Sequence, residues 1–208
     1  MEKILTLSKK GTSRLVEKKS VFIGQAAPVE HEQAAVDFIN EVRQSMSDAR
    51  HHTFAYQIGS NNEIQRAHDG GEPSGTAGRP MLEIIKQENL QDTVVVVTRY
   101  FGGTLLGTGG LIRAYSKAAH EALLDGVIMA KVDGQKVTFT MDYHLWGKVQ
   151  NFLERENIFV ENIDYLEQVK LTCILVFDGM DTVIKKIRDL CHGTVEVTLG
   201  ERNYFAGI

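Results

Sequence analysis

Cysteine occurs only twice in the 208 residues, at Cys173 and Cys191, and without metal-ligand spacing. That pattern predicts two reduced, structural thiols in a cytoplasmic protein, not a disulfide framework. No apolar run approaches the roughly 20 residues that a membrane span needs. The lysine-rich start MEKILTLSKKGTSRLVEKKS also has no signal-peptide core, so no membrane partner is expected. Basic charge is not in surplus: 23 Lys and Arg stand against 27 Asp and Glu, a net charge of −4 and a pI near 6.0. This argues against broad coating of nucleic acid and leaves room for a local basic patch. The common site motifs are missing as well. No lysine follows a glycine at Walker A spacing, and Ile112 stands where a dinucleotide fingerprint needs its third glycine. Neither an H-E-x-x-H helix nor a Ser-His-Asp order supports a standard hydrolase.

What is present is an ordinary globular composition, 43% apolar and 24% charged, long enough for one large domain or two small ones. The chain is organised around VVVVTRYFGGTLLGTGGLIRA, residues 94–114. Its four valines predict a central strand covered on both faces. A loop with glycines at 102, 103, 107, 109 and 110 follows, then a helix to about Leu124 with Leu111, Tyr115, Ala118 and Ala122 on its apolar face. Upstream, the pattern predicts strands over 4–7, 13–18 and 20–26, a helix over 30–46, and a hairpin from strands over 53–58 and 63–68. Pro80 suits the first position of a helix carrying Met81, Leu82 and Ile85, with Thr76 as its cap. From Gln135 the order becomes strand, helix, strand, strand, helix, strand, the βαββαβ ferredoxin-like pattern. Asp142 is the expected cap of the first of these helices, and Asp178 or Asp181 of the second. The class is therefore α+β, with domains over 1–133 and 134–208. The second is the more acidic, with 8 Lys and Arg against 11 Asp and Glu.

Three constellations carry possible chemistry. The first is the glycine stretch 102–110 with Arg99 and Arg113 at its ends. Either the glycines only serve a tight turn, or a helix N-terminus binds an anion there. The second is DGGEPSGTAG, 69–78, with Asp69 and Glu72 as acid or base and Ser74, Thr76 and Arg79 as phosphate contacts. The third is Arg50-His51-His52. On an extended segment the two histidines face opposite ways and do not naturally share a metal. His51 with Asp69 and Glu72 forms the candidate catalytic set; no metal ligand set and no cofactor are expected. The C-terminal half offers nothing catalytic.

The segments ARHHTFAY (49–56), DGGEPSGTAGRPML (69–82) and VVVVTRYFGGTLLGTGGLIRAYSKA (94–118) resemble the IMPACT family, of the bacterial YigZ type. The resemblance implies an N-terminal domain with the fold of a ribosomal small-subunit protein's second domain. It implies a C-terminal domain similar to the last domain of elongation factor G. It places the family signature on Arg50, His51, Asp69, Glu72, Pro73, Gly75, Thr76, Gly78, Arg99, Gly102, Gly103, Gly107 and Gly110. Gly70 departs from the acidic pair usual before G-E-P, which weakens a paired-carboxylate metal site. The function so implied is regulation of translation by binding RNA, the ribosome or a translation-related protein. Arg50, His51, Ser74, Thr76, Arg79, Arg99, Arg113 and the backbone of Gly102, Gly103, Gly107, Gly109 and Gly110 would make the anion contacts. The alternatives are a hydrolase for a phosphate- or peptide-bearing small molecule using His51, Asp69 and Glu72, and a pure protein-docking module.

Overall fold

A strand whose consecutive residues are all apolar must bury both faces, and the valine run does so. In the computed structural model, which describes residues 3–59 and 61–206, Val94–Val97 have no solvent exposure. They lie in β6 (Thr93–Tyr100), the middle strand of a five-stranded antiparallel sheet. Its other strands are β2 (Gly11–Glu17), β3 (Ser20–Pro28), β4 (His51–Ile58) and β5 (Ile64–His68), in the order β2-β3-β6-β4-β5. Val94 and Val96 pack with Phe38, Ile39 and Val42 of α1 (Glu32–Ser45) on one face. Val95 and Val97 pack on the other, with Met81 and Ile85 of α2 (Gly78–Gln87) and Leu111, Tyr115 and Ala118 of α3 (Gly107–Asp125). The short strand β1 (Lys3–Leu7) bridges Leu90 through Leu5. This alternation decides the site, because every odd residue of β6 and β4 turns toward α2 and α3.

Two local expectations differ from the structure. Gly107, Gly109 and Gly110 form the first turn of α3 and do not belong to the loop before it. Apolar periodicity detects a helix only from its first buried residue, here Leu111, so a glycine turn ahead of it is invisible to that signal. Pro80 sits third in α2, where its missing N–H is still one of the unbonded ones. Thr76 is not the cap: its hydroxyl donates to the Pro73 carbonyl at 2.7 Å.

The contacts divide the chain into two units, Ile4–Met129 and a second beginning at Ala130. β7 (Ile128–Met141) runs unbroken through the expected boundary at 133. It is followed by α4 (Tyr143–Arg155), β8 (Phe159–Tyr165), β9 (Val169–Val176), α5 (Met180–Leu190) and β10 (Glu196–Ala206). These strands pair antiparallel in the order β10-β7-β9-β8, as the ferredoxin-like pattern requires. Val137, Phe139, Leu171 and Cys173 form a core with Val149 and Ile187 of the two helices. Asp142 holds the N-cap position of α4, but its carboxylate accepts from the Gln168 side chain. Gly179 begins α5 in the left-handed conformation, in place of either expected aspartate. Cys173 and Cys191 are free and buried, and burial pushes the Cys173 thiol up to about 12. Among the described residues no helix is long and apolar enough to cross a membrane.

Candidate functional site

Arg99 continues the Val95–Val97 face of β6, with Phe22 of β3 and His51 of β4 directly beside it. It is only 5% exposed. A guanidinium removed from water must be paired. Its Nη1 donates to Glu72 Oε1 at 2.7 Å and its Nη2 to Ser20 Oγ at 3.3 Å. The rings of Phe22 and Phe101 lie 5.3 and 5.4 Å from its centre. The Tyr115 hydroxyl, from α3, donates to the same Glu72 oxygen at 2.7 Å. Burial, and then this bond to Glu72, push the Tyr115 hydroxyl far above the ordinary phenol range, so it remains a donor. Glu72, Arg99, Tyr115 and Ser20 are thus one buried network joining the 69–77 loop, β6, α3 and β3.

Asp69 shapes that loop. Its carboxylate accepts the Gly75 N–H at 2.8 Å, the Ala77 N–H at 3.0 Å and the Gly78 N–H at 2.9 Å, which caps α2 from nine residues away. Burial acts to raise its pKa, but the three backbone donors outweigh it and hold the carboxyl below its usual range. A carboxyl held lower in the folded than in the unfolded chain stabilises fully above the unfolded value, about 4, and loses that contribution as pH falls through the folded value. The N-terminal unit is therefore expected to weaken below about pH 4. Asp69→Ala should cost about 2 kcal/mol at neutral pH and flatten the acid limb of a urea-midpoint profile.

His51 Nδ1 lies 3.1 Å from the Gly70 carbonyl oxygen. A carbonyl only accepts, so Nδ1 carries the proton and Nε2 is the ring nitrogen left over. His52 points to the opposite face, with its Nδ1 3.0 Å from Thr98 Oγ1. Burial and then Arg43 of α1 lower its pKa.

The candidate residues separate into groups. His51, Glu72 and Arg99 share the wall of one cleft, about 400 Å³ in volume, with Phe101, Leu105 and the Gly107–Thr108 start of α3. Asp69 does not line it. Thr76 is buried, whereas Arg50, Ser74, Arg79 and Gly103 are exposed away from its wall. Gly102 is pressed against the backbone of Lys19 and Ser20. Arg113 lies in a second recess of about 250 Å³ with Lys18, Lys117 and Glu17, so the two arginines flanking the glycines do not meet. Gly110 lines that recess too, and Gly109 is exposed and lines neither. Among the described residues no three His, Cys, Asp or Glu side chains are grouped to hold a metal ion. The sequence reading missed Ser20, Lys18 and Lys117, and saw Tyr115 only as apolar packing. A tyrosine in a buried stripe carries a hydroxyl that needs an acceptor, and an arginine on a valine face needs a carboxylate. Those two signals together point to Glu72.

The profile of the Impact N-terminal domain matches residues 18–123, and a domain of unknown function, DUF1949, matches 139–194. The IMPACT family member YvyE of Bacillus subtilis is 39% identical over 201 residues, 96% of this chain and 92% of the relative. The family member YigZ of Escherichia coli is 34% identical, covering 86% and 89%. Protein IMPACT-A of Xenopus tropicalis is 32% identical over 98 residues, 45% of this chain and 30% of that protein. A crystal structure of a hypothetical protein superposes with a TM-score of 0.64 at 32% identity, over 97% of this chain and 98% of that one. Two domain matches in the expected order, and relatives matched almost end to end, place the chain in the IMPACT family, of the bacterial YigZ type.

Proposed function

We propose that this protein is a translation-associated regulator in the cytoplasm that binds RNA, free or in the ribosome, through its N-terminal unit. The observation that carries the reading is the lysine turn between β2 and β3. Glu17 pairs with Ser20, so Lys18 and Lys19 are the two residues of the hairpin turn, with φ of 43° and 67°. Such a turn favours Asn-Gly, and a lysine held there costs roughly 1–2 kcal/mol per residue. Lys18 and exposed Arg113 and Lys117 of α3 line the recess against one carboxylate, Glu17, with Lys117 also 3.8 Å from Glu121, which leaves a local cationic surplus on a chain of net charge −4. Clustered cations of this kind contact phosphates and release counterions. Arg99, already neutralised by Glu72, is not part of that surface.

Arg113→Glu with Lys117→Glu is expected to lower the affinity for RNA or ribosomes at least tenfold. The slope of log affinity against log salt should become shallower by about 2. Cosedimentation and salt-titrated RNA binding read both. Unchanged binding sinks the proposal, and capture of a partner that survives ribonuclease favours protein docking instead. The hydrolase reading has less support, since Asp69 is occupied by three backbone N–H groups and Glu72 by Arg99 and Tyr115.

A further inference from the structure

We infer that the cleft beside Phe101 is a seat for one unstacked nucleotide of single-stranded RNA, its base against the Phe101 ring and its phosphate at the start of α3. The inference rests on the RNA reading above and names the subsite that recognises a base. Phe101 is 54% exposed and Leu105 84% exposed, so the mouth of the cleft presents large apolar side chains to water. A nucleobase covers such a surface by stacking on the Phe101 ring, which the Arg99 guanidinium, 5.4 Å from its centre, holds in place. The other end of the cleft is built for an anion. α3 begins without any side-chain cap, leaving the N–H groups of Gly107, Thr108 and Gly109 without intrahelical acceptors. His51 lines the same cleft, and with its Nδ1 donating to Gly70 its Nε2 is an acceptor suited to a base or sugar donor and not to the phosphate.

Arg99 supplies an independent sign of a missing partner. It forms part of the cleft wall, and its buried Nε has no hydrogen-bond acceptor among the described residues. That atom is closed to solvent in the unbound protein, so a ligand acceptor reaches it only as the wall beside Phe101 opens. The volume, about 400 Å³, lies in the range of small-ligand pockets. Continuity then favours a nucleotide within a strand. Leu106 lines both this cleft and the Lys18–Arg113–Lys117 recess, so a base held in one leaves its neighbouring phosphates at the other.

The test is NMR titration of the full chain with uridine 5′-monophosphate, paired with single-stranded RNA binding. The amides of Gly107 and Thr108 and the His51 ring are expected to shift. Phe101→Ala should weaken RNA binding about tenfold while leaving the salt slope unchanged, and Phe101→Trp should retain binding. Cleft signals that ignore the nucleotide, or that answer only to a peptide, overturn the inference. RNA binding that depends on Arg113 and Lys117 but not on Phe101 overturns it too, leaving the RNA reading intact. A nucleotide seated in the cleft of a protein that binds no RNA sustains the pocket and sinks the broader function.

Discussion

Glu72→Ala is expected to destabilise the N-terminal unit by about 3–5 kcal/mol, because it strands a buried guanidinium. The Glu72 and Arg99 side chains are 4% and 6% exposed, so both charges are held almost out of water in the folded protein. Tyr115 loses its acceptor in the same step, and its hydroxyl then sits buried at the centre of the core under α3. Against a typical total stability of about 5–15 kcal/mol, this is enough to threaten folding at 37 °C. The sharper measurement is therefore a double-variant cycle in urea. Arg99→Met alone should also be costly, since it leaves the Glu72 carboxylate buried beside one phenol. Glu72→Leu combined with Arg99→Met should recover much of the loss, as apolar replacement of a buried pair is often neutral. A single Glu72→Ala that unfolds at the wild-type midpoint would show that the pair is not closed from solvent. The cycle also bears on function: loss of activity in Glu72→Ala would reflect the fold before any catalytic role.

How much of this was legible in the sequence follows from the distance over which each signal acts. The valine run announced a doubly covered strand, since every residue in it is apolar, and His51 and His52 announced opposite faces by adjacency alone. The βαββαβ order of the second unit likewise came from local periodicity. The pair between Glu72 and Arg99 did not, because it joins a loop to a strand 27 residues on and depends on how both are placed. Asp69 read as a candidate acid because nothing local says that its oxygens cap a helix eight and nine residues away. Arg113 read as the partner of Arg99 since both flank the same glycines. The intervening helix turn carries them to different recesses. Charges were thus identified correctly by type and wrongly by company, whereas apolar residues, whose partners need no particular identity, were placed well.

Gly102→Ala is expected to cost about 3 kcal/mol or more, at or above the upper end of ordinary overpacking, while Gly103→Ala costs about 1–2 kcal/mol. The neighbours differ in what glycine does for them. Gly103 has φ of 82° with nothing near its missing side chain, so only backbone strain opposes a methyl there. Gly102 is not in the left-handed region. A methyl on it would overlap the Lys19 carbonyl and the Ser20 amide, which are main-chain atoms and cannot swing aside. The contact belongs to the buried network. Ser20 Oγ accepts the Gly102 N–H at 3.1 Å and the Arg99 Nη2 at 3.3 Å, so forcing the two strands apart breaks both bonds. It also moves the Lys18–Lys19 turn, and with it the cationic recess. Urea unfolding with an unchanged slope would read the stability difference directly, and Gly102→Ala should lose RNA affinity where Gly103→Ala does not. Equal costs at the two positions would mean that the β3 hairpin yields to the methyl. In that case the close approach of Gly102 to Ser20 does not hold the network together.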